Sequence, residues 1–180
     1  MDNMSKIKKV SKLFNLLLTG LLIILPIYYI LYWLFINSLS ESLINVNIEP
    51  IPECSNTLSV NLQIIGFISS LLPLSALIYG IIHIKKLFSF YEEGIIFSLE
   101  QVMLFKKISK ALALWIVFSI IYESIKSIIF SWDNPVGEHV LEIGFNGNQI
   151  GILAISIVIL VIAWIMDEGR ILNEENKLTV

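Results

Sequence analysis

Ala111–Phe130 reads ALALWIVFSIIYESIKSIIF, and whether this run crosses a bilayer decides the fold. Its 20 residues would make a helix of about 30 Å, the thickness of a hydrocarbon core. Glu123 and Lys126 near its far end argue against a crossing, and the charge pattern of the rest of the chain answers them. Leu13–Ile36 carries no charged residue, Ile64–Ile84 carries none, and Ile150–Met166 is a third uninterrupted apolar run. Basic residues flank these runs at Lys6, Lys8, Lys9 and Lys12, at Lys85 and Lys86, and at Lys106, Lys107 and Lys110, with Arg170 and Lys177 after the last. Only if 111–130 also crosses do all these clusters share one side, leaving Lys126 as the exception among 12 Lys and Arg residues. Lys and Arg near span ends set orientation, so that side reads as cytoplasmic. The opposite loops, 37–63 and 131–149, hold only acidic charges.

Composition agrees. The chain of 180 residues is 56% hydrophobic and 15% charged, whereas ordinary soluble domains carry about 25% charged residues. Lipid must cover much of its surface. We therefore expect an all-α integral membrane protein of one domain, residues 1–180, with spans at about 13–36, 64–84, 111–130 and 150–166. Both termini are expected in the cytoplasm, the first span acting as an uncleaved signal anchor, since a signal h-region is only about 7–15 residues long. Cys54 is the only cysteine, which excludes an intramolecular disulfide.

Local signals refine this plan. Ser98 followed by Gln101, with flanking apolar residues, is a capping box that starts a helix running from Leu99 into the third span. Gly94 is placed to end the helix descending from the second. Together they predict a cytoplasmic helical hairpin, whose Phe88, Phe90, Phe97 and Phe105 are expected to pack mainly on its own helices. Ile44–Ile48 and Leu58–Leu62 alternate apolar with polar residues, and Val140–Phe145 does so more weakly, so a small extracytoplasmic β-cap is expected. Gly66 with Ser70, and Ala76 with Gly80, pair small residues at a spacing suited to close helix contact. Pro26 and Pro73 read as packing kinks. Trp33, Trp115, Trp132 and Trp164 all fall near span ends, where amphipathic rings favour the interface.

Chemistry is scarce. His83 and His139 fall on opposite faces of the membrane, and the sequence holds no metal-binding His motif, phosphate-cradling Gly-rich loop or nucleophile turn. No enzyme activity, cofactor, metal or direct nucleic-acid contact is expected. Glu123 and Lys126 form the one candidate intramembrane polar site; three residues apart on a helix, they are placed to pair, and that structural role is preferred over a proton or cation site.

After the fourth span, residues 167–180 form a helical tail, DEGRILNEENKLTV. This ending and the Gly94–Ser98 turn resemble those of a family of small bacterial four-span membrane proteins, the domain of unknown function 2975. The resemblance implies a bacterial inner-membrane location and, through the family's frequent gene neighbour, a small cytoplasmic helix-turn-helix regulator as partner. In the tail, Asp167, Glu168, Arg170, Glu174 and Glu175 are the candidate partner-binding residues, with Arg170 placed to pair with Glu174 four residues on. The expected function is regulatory or sensory; the alternative is a small transporter, channel or transporter accessory subunit, motivated by the kinked spans and the Glu123–Lys126 pair.

Overall fold

In the computed structural model, Ala111–Phe130 is the second part of one continuous 32-residue helix, α3 (Leu99–Phe130). The structure describes residues 3–39, 57–132, 141, 143 and 147–178, with side chains as far as residue 172. Three further long helices accompany α3: α1 (Asn3–Leu34), α2 (Val60–Glu93) and α4 (Gly147–Leu178). All four are long and apolar enough to cross a membrane, and each of the four expected spans falls on one of them, the first running two residues past the end of α1. A short 3-10 turn, Ile36–Ser38, follows α1.

The helices pack in chain order, α2 between α1 and α3, with α4 on the far side of α3. In the most apolar window of each helix, 39% of α2 and 33% of α3 are buried, against 6% of α1 and 17% of α4. The inner pair forms the core, and the outer pair turns most of its apolar surface outward, as lipid-facing helices do. Each helix also outruns its span at the same end of the bundle, by nine to twelve residues, and these extensions carry the basic clusters. Ten helical residues correspond to about 15 Å.

The turn between α2 and α3 is built as its sequence indicates. Gly94 adopts φ 86°, the Gly94 amide donates to the Tyr91 carbonyl and the Ile95 amide to the Phe90 carbonyl, a pairing that closes a helix C-terminus. Ser98 Oγ accepts from the Gln101 amide at 3.2 Å, and Gln101 Oε1 accepts from the Ser98 amide at 3.1 Å. Gln101 is fully buried and its Nε2 also donates to the Ile95 carbonyl at 2.8 Å, so one side chain fixes both the cap and the loop. Of the four phenylalanines, Phe88 stacks on Phe14 of α1, Phe90 and Phe105 pack around Leu87, Leu104 and Ile108, and Phe97 stays 49% exposed.

Residues 58–62 correct the strand expected there. Ser59 is an N-cap accepting from the Leu62 amide, and α2 begins at Val60. A cap and a two-residue alternation read alike in so short a segment, and the cap prevails because the chain continues directly into an apolar helix. Asn37 supports this start: its amide donates to the Leu58 carbonyl and its Oδ1 accepts from the Leu58 amide. Ile44–Ile48 lies outside the described residues, as does most of 140–145, where Leu141 and Ile143 are not in a strand. Among the described residues there is no strand, and a β-cap has no support.

Close helix contact is made where small residues were expected. Gly66, Ser70, Ala76 and Gly80 are all buried, and a Cβ added at Gly80 would lie 3.3 Å from that of Ala111. Trp33, by contrast, is not an interfacial anchor: it is 2% exposed, with its ring laid on Gly66. Trp132 and Trp164 face outward. Both proline-containing helices run uninterrupted through Pro26 and Pro73.

Between α3 and α4, Ser109 and Ser156 are buried and reciprocal, each hydroxyl donating to the other's carbonyl at 2.9 Å. Interhelical hydrogen bonds in membrane proteins average about 0.6 kcal/mol, with a maximum near 1.7. Ser109→Ala and Ser156→Ala should each cost about that average, and the double variant less than their sum. Additive costs in a double-mutant cycle of unfolding in mixed micelles would show that the two bonds do not act as a unit.

Candidate functional site

Two polar regions stand out, one at each end of the bundle. At the end away from the basic clusters, α3 presents Tyr122, Glu123 and Lys126. Lys126 Nζ lies 3.8 Å from Glu123 Oε2 and 6.0 Å from the centroid of the Tyr122 ring. The Lys126 side chain is 5% exposed and that of Glu123 39%. Tyr32 of α1 packs against the cluster that holds Tyr122, and its hydroxyl is buried without a hydrogen-bond partner among the described residues. Tyr122 belongs to an apolar cluster with Trp33, Ile36, Leu62, Ile129 and Phe130, which joins the ends of α1 and α3 to the start of α2.

The pair expected from the sequence is therefore present, in an aromatic setting that no local pattern indicated. Carboxylate and ammonium neutralise each other where a lone charge would be costly. Chemically this is a brace for the end of α3. Removing the carboxylate leaves a buried ammonium, so Glu123→Gln should destabilise by roughly 1–3 kcal/mol, the range for losing a hydrogen bond to a charged group. Glu123→Gln/Lys126→Met should cost less than Glu123→Gln alone, because replacing both charges also removes their desolvation penalty. Micelle unfolding midpoints of the single and double variants check this, and a larger cost for the double would contradict it.

At the other end, side-chain contacts join neighbouring helices at and just inside the basic extensions. Asn15 of α1 donates to Ser89 Oγ at 3.2 Å and to Glu92 Oε1 at 3.1 Å. On α4, Asp167 accepts from Arg170 Nε and Nη2 at 3.2 and 3.1 Å, while its other oxygen lies 3.9 Å from Lys106 Nζ of α3. Asp167 and Arg170, expected on a partner-binding face, thus take part in an intramolecular contact between α3 and α4. Glu168 remains exposed on that face, and the side chains of Glu174 and Glu175, including the expected Arg170–Glu174 pair, lie outside the described residues. The Asn15 contacts had one sequence signal, a polar amide within an apolar run. The Lys106–Asp167 contact had none, since its partners are far apart in the chain.

His83 turns back onto its own helix, with Nδ1 2.7 Å from the Tyr79 carbonyl and its ring 4.2 Å from that of Tyr79. His139 lies outside the described residues. Among the described residues, no three His, Cys, Asp or Glu side chains come together as metal ligands would.

Comparison with known proteins adds one finding. A family model described as protein of unknown function (DUF2975) matches residues 51–180. No curated protein and no solved structure matches the chain.

Proposed function

The chain belongs to the DUF2975 family of proteins of unknown function, and from that footing we propose that it is a non-enzymatic regulatory or sensory protein of a bacterial inner membrane. In this reading both termini and the Gly94–Ser98 turn are cytoplasmic, and the protein holds a small helix-turn-helix transcription regulator at the membrane. The observation that supports it is the shared overshoot of the four helices. Their extensions, joined through Lys106 and Asp167 and, just inside the first span, through Asn15 to Glu92, form a folded platform rather than loose loops. A platform of this kind offers a fixed surface to a soluble partner, and the basic residues at its base orient it toward the cytoplasm.

Orientation is open to a direct test with the native thiol. In intact cells a membrane-impermeant maleimide should label Cys54 and fail to label Lys107→Cys in a Cys54→Ser background. Labelling of Lys107→Cys would reverse the topology. The partner is tested by purifying the protein from its native membranes: the regulator should be retained, and deleting residues 167–180 should release it and alter transcription of its targets. No retained regulator and unchanged transcription would sink the proposal. Transport, the alternative, rests on Pro26, Pro73 and the Glu123–Lys126 pair; because both prolines lie in uninterrupted helices and the two charges pair with each other, the structural role is favoured, and flux in reconstituted liposomes distinguishes the two readings.

A further inference from the structure

The seam between α2 and α3 carries basic groups from both helices on one outward face. Gly80 of α2 lies against Ala111 of α3, where a Cβ on the glycine would stand 3.3 Å from that of the alanine, and this contact sets the level of the two antiparallel helices. From it toward the basic end, at 1.5 Å per residue, Lys110, His83, Lys107 and Lys86 follow at about 1.5, 4.5, 6 and 9 Å. They also share a face. At about 100° per residue, His83 and Lys107 stand roughly 60° from their own helix's contact with the other, and Lys86 and Lys110 roughly 110–120°, all in the same rotational sense. Equal senses on two antiparallel helices fall on one side of the pair. Phe88 and Glu92, which meet α1, and Ser109, which meets α4, lie in the opposite sense, so neither outer helix covers the basic face.

Lys86, Lys107 and Lys110 are exposed, and among the described residues none of them pairs with a carboxylate. The neighbouring charges are engaged elsewhere: Lys106 with Asp167 of α4, Glu92 with Asn15 of α1, and Lys8 against Gly94. Glu93 and Glu100, the exposed carboxylates of these two helices at this end, stand seven residues beyond Lys86 and Lys107, about 10 Å. His83 Nδ1, 2.7 Å from the Tyr79 carbonyl, donates to it, so Nε2 is the ring nitrogen left to a ligand. Apolar surface continues past the group in both directions, through Val117 and Ile121 on one side and Met103 and Leu99 on the other, all exposed. The Ser109–Ser156 contact sets the exposed Trp164 and Ile165 of α4 level with Met103 and Leu99. The basic group is therefore set within the lipid-facing surface, where an unneutralised charge is costly. We infer that this face binds the phosphate of an anionic phospholipid from the leaflet at the basic end. A zwitterionic lipid offers the same phosphate but brings an ammonium that the lysines repel, and a free phosphate lacks the chains that seat it at this depth. The inference needs no protein partner and stands apart from the regulatory reading.

Energy transfer from the tryptophans to acyl-labelled phosphatidylglycerol, with the full chain in neutral micelles, tests it. Unlabelled phosphatidylglycerol should displace the probe at least tenfold more effectively than phosphatidylcholine with the same chains. Lys107→Ser/Lys110→Ser should weaken probe binding fivefold or more, and Lys107→Arg/Lys110→Arg should keep it. Lys6→Ser/Lys9→Ser, which removes equal charge from α1, should change it less than twofold. Equal displacement by the two lipids would leave no headgroup preference and overturn the inference. An equal loss from both serine pairs would do the same by making net charge the cause, and a loss in the arginine pair as large as in the serine pair would make it a change of fold. Inorganic phosphate separates the two sources of the anion. Against chloride at equal ionic strength it should leave the probe in place; displacement as effective as that by phosphatidylglycerol would assign the face to a soluble anion and overturn the lipid site.

Discussion

Gly66→Ala is expected to destabilise the purified protein by about 1–3 kcal/mol, the usual cost of forcing an extra methyl into a packed core. The added Cβ would overlap the six-membered ring of Trp33, and that ring is 2% exposed, so it has little room to move aside. Trp33 packs in one cluster with Ile36, Leu62, Tyr122, Ile129 and Phe130, so the strain would reach α3 as well as α1 and α2. A compensating change separates this cause from loss of helix flexibility. Gly66→Ala/Trp33→Phe, with a smaller ring, should recover part of the loss, whereas Gly20→Ala, where nothing lies within 4 Å of an added Cβ, should be neutral or slightly stabilising. Unfolding in mixed micelles followed by tryptophan fluorescence or circular dichroism checks all three. If Gly66→Ala proved as benign as Gly20→Ala, the close approach of Trp33 would be refuted.

Gln101→Ala should cost a similar amount, roughly 1–3 kcal/mol, because it strands buried polar groups. Two partners lose their bonds at once, the Ser98 amide and the Ile95 carbonyl, and the side chain removed is fully buried. Ser98→Ala removes only the hydroxyl that caps the Gln101 amide and should cost about 1 kcal/mol. Gln101→Glu discriminates between a cap and a wider structural role. Glutamate is an equally good capping-box acceptor, so if capping were all that mattered it would be tolerated. It cannot donate to the Ile95 carbonyl, and it would bury a charge, so it is expected to resemble Gln101→Ala. Hydrogen exchange at residues 94–101 would show the turn opening in both variants; a stable turn in Gln101→Glu would reduce the residue to a cap.

These two positions mark how far the sequence reaches. Ser98 and Gln101 are legible as a helix start because the bonds that define a cap lie within one turn, and the identities three residues apart specify them. The third bond of Gln101, to Ile95, crosses a loop whose path depends on Gly94, and nothing at that spacing announces it. Trp33 reads as an interfacial ring because position along a span is all that the sequence provides, while its burial depends on Gly66, 33 residues away. Alternation at Leu58–Leu62 fits a strand until the neighbouring helix is considered. At the candidate sites the same division holds: the Glu123–Lys126 pair is local and was legible, whereas the packing of Tyr32 of α1 against the cluster that holds Tyr122, and the capture of Asp167 by Lys106, are contacts between helices.

The sequence by itself determined the four spans, the helix caps around the inner turn and the common side on which the basic residues collect. Hydropathy, capping and charge asymmetry act over a turn or a single segment, and they need no knowledge of neighbours. Only the tertiary structure decided which faces of the helices meet, that Trp33 belongs to the core, that Asp167 ties α4 to α3, and that Phe97 reaches Gly169 of α4. All four helices are apolar around most of their circumference, so no stripe in the sequence marks the face that packs against protein rather than lipid. That choice falls to close fits such as Gly66 beneath Trp33 and Gly80 against Ala111, which exist only once the helices are side by side.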